Sequence, residues 1–266
     1  MRCIQKGRYF AAVCLAGIAA VFSSLSQARD APEVLRVAYA EFPPMEYRDA
    51  NGEAAGRFIE LTRLVVEEAG YRPEFIQLPV SRLYLYLSNG TVDVWPGISG
   101  IPMLDGEVLE SWVSPYAVQL SAWYLEGTPP LAHFDQLANR TVIVIAGYTY
   151  GGLIYWLEAQ RGMTVTEAPN HRSAINMLKR KRGDYLLDYR EPVEAILTEP
   201  SDQHVRVSDI RRRDAAWLFS LANPRAALLR DEFDDAYLRL VEAGTVRPVR
   251  ALDTGYVVPG LPEPYR

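Results

Sequence analysis

The chain has 266 residues, with 33 acidic and 28 basic side chains and a formal net charge of −5. This acidic balance argues against non-specific nucleic-acid binding. The length and the 49% of hydrophobic residues are sufficient for a large core or for two compact lobes. Two basic runs, KRKR at 179–182 and RRR at 211–213, are candidates for contact with a partner. For the first run, a solvated face at a helix end is the alternative.

Residues 1–28 are predicted to form a cleavable secretory signal peptide. Three basic residues precede an apolar stretch of 14 at 9–22, and SQA at 26–28 provides small residues for cleavage. A membrane anchor is the alternative, but a spanning helix needs about 20 apolar residues. Cleavage would remove Cys3 and Cys14 and leave a mature chain with a net charge of −8. That chain would have no thiol for a disulfide or a metal site.

Strand-like and helix-like patterns alternate along the rest of the chain, which predicts an α/β fold. A boundary is expected where the strand at 116–127 ends at Gly127, Pro129 and Pro130. The predicted strands are 34–40, 73–79, 91–97, 116–127, 141–147, 164–169, 184–189, 205–210 and 215–222. The predicted helices are 58–70, 81–90, 151–161, 171–183, 190–197 and one that follows Asn223-Pro224 and runs to Ala243.

Several of these segments occur in a familiar order. LRVAYAEFPPMEYRDANGEAAGRFIEL contains a strand, a proline-aromatic loop, an Asn-Gly turn and the start of a helix. SRLYLYLSNGTVDVWPGISG and LANRTVIVIAGYTYGG follow, and then AINMLKRKRGDYLLDYREPVEAIL. In order and spacing they resemble family 3 extracellular solute-binding proteins, the periplasmic receptors of polar amino-acid importers. The resemblance covers residues 34 to about 249.

The resemblance implies an α/β, two-lobed periplasmic-binding-protein-like fold of type II, with two hinge crossings and a ligand cleft between the lobes. Residues 29–126 and 214–266 are expected to form lobe 1, and residues 127–213 lobe 2. The predicted function is that of a periplasmic, monomeric receptor. It would capture a small polar, amino-bearing ligand for an ABC-type importer, with a membrane permease or a sensor as its partner. No cofactor, metal or nucleic-acid partner is expected.

Two alternative functions remain open. One is a dehydratase-like enzyme on the same fold, which would need a cleft carboxylate as general acid or base. Glu46, Asp105 and Asp188 are available, but no arrangement marks them as catalytic, so the protein is predicted not to be an enzyme. The other is a sensory module, which needs the same closing cleft as an importer receptor.

The resemblance also implies that the turn Tyr148-Thr149-Tyr150-Gly151 faces the ligand. Backbone N–H groups at a helix N-terminus attract anions, and Thr149 would add a hydroxyl donor. Tyr148 and Tyr150 would form aromatic walls, and Gly151 would let the backbone approach closely. The alternative is an ordinary strand-to-helix turn whose tyrosines pack on the lobe surface.

In the family, the position of Asp188 holds the ligand's α-ammonium group. An N-cap for the following helix is an equally weighted alternative. The family also carries an arginine after the third strand, which binds the ligand's carboxylate. Here no arginine occurs between Arg82 and Arg140. Arg82 is therefore a candidate, with a solvated helix face as the alternative, and the ligand's carboxylate is in doubt.

Five residues of the first lobe complete the predicted ligand-binding set. Phe42 and Tyr47 lie on the proline-rich loop where the family stacks aromatic side chains on the ligand. Trp95 lies on the third strand, with burial in the core as its alternative. Gly97 and Ser99 follow it.

Overall fold

A computed structural model describes residues 31–248 and 255–266. The predicted signal peptide lies outside the described residues. The described helices are α1 (Arg57–Glu68), α2 (Val80–Ser88), α3 (Leu153–Ala159), α4 (His171–Lys179), α5 (Arg190–Glu194) and α6 (Ala226–Glu242). The described strands are β1 (Val34–Tyr39), β2 (Tyr47–Arg48), β3 (Ala54–Ala55), β4 (Arg72–Gln77), β5 (Val94–Ile98), β6 (Val108–Glu110), β7 (Tyr116–Leu125), β8 (Thr141–Ile145), β9 (Thr164–Ala168), β10 (Tyr185–Tyr189) and β11 (Val205–Ser220).

One mixed sheet of nine strands joins the two halves of the fold, in the order β4-β1-β5-β11-β7-β10-β8-β9, with β6 paired to β11. Strands β1, β4 and β5 are parallel at one end, and β8, β9 and β10 are parallel at the other. The long antiparallel strands β7 and β11 lie between them. These two strands are the predicted hinge crossings. We refer to β1–β6 with α1, α2 and α6 as the first lobe, and to β8–β10 with α3–α5 as the second.

The sequence predicted two strands, 205–210 and 215–222, where the structure has the single strand β11. This prediction was wrong because the charged run at 211–213 interrupts the pattern of apolar residues along the strand, whereas the backbone pairing with β7 continues through it. Strand β11 pairs with β7 from Val205 to Ala215, with a register shift between Asp209 and Arg211. The extra residue at a shift of this kind re-aims side chains, and Arg211 is buried here. The short strands β2, β3 and β6 were not predicted.

Each lobe has its own buried core. In the first lobe, helix α1 buries Phe58 and Val65 against Trp217 of β11, and the Trp217 indole donates to Thr62 Oγ1 at 2.9 Å. In the second, the apolar run of β8 is fully covered, as expected for a parallel strand with helices on both faces. The C-terminal residues Val258 and Leu261 pack into the core of the second lobe, although the sequence assigned 214–266 to lobe 1. Because of this packing, we propose that the C-terminal tail belongs with lobe 2. The other predicted lobe boundaries stay a prediction.

Candidate functional site

A cavity of about 70 Å³ lies where the two lobes meet. The loop after β1 and strand β5 form its first-lobe side, and the turn after β8 and the end of β10 form its second-lobe side. Eight of its eighteen lining residues are aromatic. The aromatic lining residues are Phe42, Phe58, Tyr84, Trp95, Tyr116, Tyr148, Tyr150 and Tyr189. A wider cavity of about 370 Å³ lies beside it and shares Ala40, Val80 and Tyr148 as walls.

The aromatic rings hold one another in place across elements. Phe42 makes an edge contact with Tyr189 of β10 at 5.2 Å between ring centroids, and Tyr84 of α2 lies 5.7 Å from Trp95. A side chain at Gly97 would collide with the Trp95 indole, so glycine at this position allows the indole to lie flat beside β5. The cavity walls are therefore positioned by contacts within the protein itself.

Glu46 is the only charged residue among the described residues that line the cavity. The loop that carries it closes on itself, since Phe42 N–H donates to the Glu46 carbonyl at 2.6 Å. Glu46 is 5% exposed, and its carboxyl accepts one long hydrogen bond of 3.3 Å, from the Ala40 amide. Burial raises the pKa of Glu46 well above its usual range, and the Ala40 amide and the nearby Trp95 indole offset only part of this rise. The Trp95 Nε1 itself is buried and has no partner at hydrogen-bond geometry in the described part of the chain.

The turn after β8 joins the two lobes. The Tyr148 hydroxyl donates to the Glu41 carbonyl of the first lobe at 2.5 Å. Thr149 Oγ1 lies 2.9 Å from the Tyr84 hydroxyl, also across the cleft. Tyr150, by contrast, is buried within the second lobe, where its hydroxyl accepts from Ile145 N–H and donates to the Leu187 carbonyl. The turn thus supplies both a cavity wall and the contacts that close it.

Three backbone donors that follow this turn, at the start of α3, are already used. The N–H groups of Gly152 and Ile154 donate to the Thr149 carbonyl at 2.8 and 3.2 Å, and Leu153 N–H donates to the Tyr150 carbonyl at 3.4 Å. The positive charge nearest the turn comes instead from β11. The Arg211 guanidinium donates to the Tyr150 carbonyl at 2.6 Å, and burial, together with the neighbouring arginine, lowers the pKa of Arg211 to about 10.

A scan against protein-family models matches residues 35–248 to the bacterial extracellular solute-binding proteins, family 3. The chain belongs to this family. A comparison with curated proteins finds no match.

Solved structures with the same fold include both receptors and a sensor domain. A histidine kinase sensor domain with similarity to periplasmic binding proteins has a TM-score of 0.69 at 24% identity, covering 82% of this chain and 94% of that one. An ancestral arginine-binding protein bound to arginine has a TM-score of 0.66 at 20% identity, covering 81% and 95%. An amino acid ABC transporter substrate-binding protein from Streptococcus pneumoniae, bound to L-arginine, has a TM-score of 0.63 at 17% identity, covering 79% and 90%. These likenesses confirm the predicted two-lobed, periplasmic-binding-protein-like fold.

Not all of the residues predicted to bind the ligand of this solute-binding protein line the cavity. The seven that do are Phe42, Trp95, Gly97, Tyr148, Thr149, Tyr150 and Gly151. Tyr47 pairs in the β2–β3 hairpin, and Arg82 is exposed on α2, which corresponds to its alternative interpretation. Ser99 lies beyond the cavity wall, where its carbonyl accepts from Arg213 at 3.4 Å. That any of the predicted residues binds a ligand stays a prediction.

Asp188 is fully buried at the end of β10 and does not line the cavity. Its Oδ2 lies 2.7 Å from His171 Nδ1, and its Oδ1 accepts from the Tyr189 amide at 2.8 Å. Burial raises the pKa of Asp188, and the hydrogen bond with His171 lowers it in part. No side chain caps α5 at its N-cap residue, Tyr189. The carboxylate thus pairs with histidine, a partner that sequence reasoning did not consider.

Sequence reasoning also missed the function-related positions of His171 and Arg213. His171 Nε2 lies 3.2 Å from the Tyr148 hydroxyl, so Asp188, His171 and Tyr148 form a chain that ends at the interlobe contact. Arg213 donates to the Gly100 carbonyl at 3.0 Å and fills the space after β5 where the expected arginine is missing from the sequence. The antiparallel pairing of β11 with β5 brings it there, and only the pairing register could have shown this.

The described residues show two further absences. No helix among residues 31–248 and 255–266 combines the length and apolar character that crossing a membrane requires. Within the same ranges, no three His, Cys, Asp or Glu side chains are grouped so that they could hold a metal ion.

Proposed function

We propose that the protein is an exported receptor that captures a small polar solute between its lobes and delivers it to an ABC-type importer in the membrane. The observation that carries this proposal is the cavity at the junction of the two lobes in a chain of the solute-binding family. Hydrogen bonds from Tyr148 and from Thr149 cross this junction. A solute that binds better to the closed form would shift the equilibrium from the open form toward it, as a receptor requires.

Location, partner and chemistry follow from the same proposal. The protein would act in the periplasm as a monomer, after removal of residues 1–28, and its partner would be the permease of the importer. It would not be an enzyme, because its family consists of solute-binding proteins. The amino-acid receptors among the structural neighbours support an amino-bearing solute.

A thermal-shift screen of amino acids, amines, small carboxylates and sugars tests the proposal. A solute that binds only the folded protein, at 100 times its dissociation constant, adds about 2.7 kcal/mol of stability. We expect a persistent rise in melting temperature and recovery of the solute unchanged after denaturation. A rise that decays while the solute is converted would establish an enzyme instead.

A sensory role is the second candidate, and the likeness to a histidine kinase sensor domain favours it. Uptake of the labelled solute by cells with and without the protein separates the two functions. An importer receptor is required for uptake. A sensor leaves uptake unchanged and alters a transcriptional or kinase response to the solute.

A further inference from the structure

We infer that the cavity binds a small organic cation with N–H donors, a protonated amine or guanidine that lacks a carboxylate. Its charged head would pair with Glu46 and contact the aromatic rings. This inference rests on the proposed receptor function and names the class of solute.

The first observation is that Glu46 is buried without a cationic partner among the described residues. A carboxyl that is 5% exposed normally has a cationic or strongly hydrogen-bonded partner. Here it has a single 3.3 Å bond from the Ala40 amide, although it lines the cavity directly. A ligand N–H group would satisfy the remaining oxygen with a charge-assisted hydrogen bond.

The second observation is that the aromatic walls offer ring surfaces, and that four of their tyrosine hydroxyls are already bonded. The hydroxyls of Tyr84, Tyr116, Tyr148 and Tyr150 are all bonded to protein atoms: Thr149 Oγ1 and the carbonyls of Arg57, Glu41 and Leu187 respectively. Faces of aromatic rings attract cations and do not favour anions. The walls and the carboxylate therefore select the same charge.

The third observation concerns the two groups that would recognise an α-amino acid. Asp188 is sealed behind the wall and paired with His171 at 2.7 Å. Arg213 bonds to the carbonyls of Ser99 and Gly100 and does not line the cavity. A ligand carboxylate would therefore lie beside Glu46, and Arg213, which lies behind Gly151 of the wall, would have to leave its carbonyl partners to pair with it, which disfavours α-amino acids.

Proton release distinguishes this ion pair from a neutral contact. Burial keeps the Glu46 carboxyl protonated in the unliganded protein over a wider pH range than usual, so a cation that pairs with it displaces a proton. The other titratable side chains of the cavity are tyrosines whose pKa burial raises, and they stay neutral below about pH 9. These are Tyr84, Tyr116, Tyr148, Tyr150 and Tyr189. Beyond them lie the Asp188–His171 pair, behind Tyr148, and Arg211 and Arg213, beyond Gly151.

Isothermal titration calorimetry of the full mature protein tests the inference with butylammonium, butylguanidinium, arginine, butyrate and butanol as probes. We expect at least one of the two carboxylate-free cations to bind more tightly than arginine, and butyrate and butanol not to bind. In Glu46→Gln the cation should bind about 10- to 150-fold more weakly. The matched control, Glu53→Gln, removes the same charge from an exposed position of the following hairpin and should bind as wild type.

Titrations of the wild type in two buffers of different ionisation enthalpy, repeated over a series of pH values, measure the released proton, and they do not depend on the folding of a variant. Binding of the cation without proton release at any pH of the series, or unchanged affinity in a folded Glu46→Gln, would overturn the inference. Tighter binding of arginine, butyrate or butanol, unaffected by Glu46→Gln, would also overturn it while leaving the receptor function intact. If no solute of any class binds the folded protein, the receptor function fails as well.

Discussion

The interlobe contact of Tyr148 permits a direct test of what holds the cleft closed. Its hydroxyl donates to the Glu41 carbonyl across the cleft at 2.5 Å and lies 3.2 Å from His171 Nε2 within its own lobe. Tyr148→Phe removes the hydroxyl and keeps the ring. One hydrogen bond contributes about 0.5–1.5 kcal/mol net, so the closed form should lose roughly 2- to 13-fold in population relative to the open form.

The same substitution also affects the second lobe. His171 is 7% exposed, and its Nε2 would lose the partner recorded for it. An unsatisfied buried polar group costs about 1–3 kcal/mol, so we expect a lower melting temperature in addition to a more open cleft. A change in melting temperature alone would therefore not establish the interlobe role.

Tyr150→Phe provides the matched control. The Tyr150 hydroxyl bonds to Ile145 N–H at 2.7 Å and to the Leu187 carbonyl at 3.1 Å, both within the second lobe. This variant should melt lower without opening the cleft. Small-angle X-ray scattering of the unliganded variants measures the opening as an increase in radius of gyration. If both variants open equally, or if Tyr148→Phe does not open, Tyr148 does not hold the lobes together.

Three further predictions concern Glu46, Asp188 and the N-terminus. The raised pKa of Glu46 means that the folded protein keeps a proton that the unfolded chain releases near pH 4.3, so stability should fall as the pH rises from there toward the folded-state pKa. Thermal unfolding across pH should show a smaller fall in Glu46→Gln than in the wild type, where Asp188 also contributes. Asp188→Asn disrupts the buried hydrogen bond with His171 and should cost about 1–3 kcal/mol of stability in denaturant unfolding; unchanged stability with weaker amine binding would instead make Asp188 a ligand contact. The intact mass of the exported protein should correspond to a chain that begins near Arg29, and a mass that retains residues 1–28 would contradict signal-peptide cleavage.

Much of the fold could be predicted because its signals are local. Helix α1 buries one face and ends before Gly70, which adopts a φ of 91°, as the apolar spacing and the glycine predicted. Strand β8 is a run of β-branched residues that is buried from Val142 to Ile145. The prediction failed at β11, where pairing with β7 stabilises a charged stretch that local patterning interprets as an interruption.

The site was less predictable because its decisive contacts join distant parts of the chain. The turn at Tyr148 and Thr149 was expected to face the ligand because its chemistry lies within a few residues; it lines the cavity, and its contact with a ligand stays a prediction. The partner of Asp188 was not expected, because His171 lies 17 residues earlier, at the start of α4. Burial alone does not reveal a partner of this kind, since a sequence gives spacing along the chain and not distances between elements.

The contrast between Glu46 and Asp188 shows why their partners matter more than their charge. Both carboxyls are buried and both have a raised pKa. Asp188 has a histidine at 2.7 Å and an amide donor at 2.8 Å, so the fold itself accounts for its burial. Glu46 has one bond of 3.3 Å and an open cavity beside it, and the Ala40 amide and the Trp95 indole offset only part of its desolvation. A glutamine would fill the same volume at a lower desolvation cost. A bound cation would compensate the desolvation of the carboxylate, which explains why a glutamate at this position is consistent with the inferred solute.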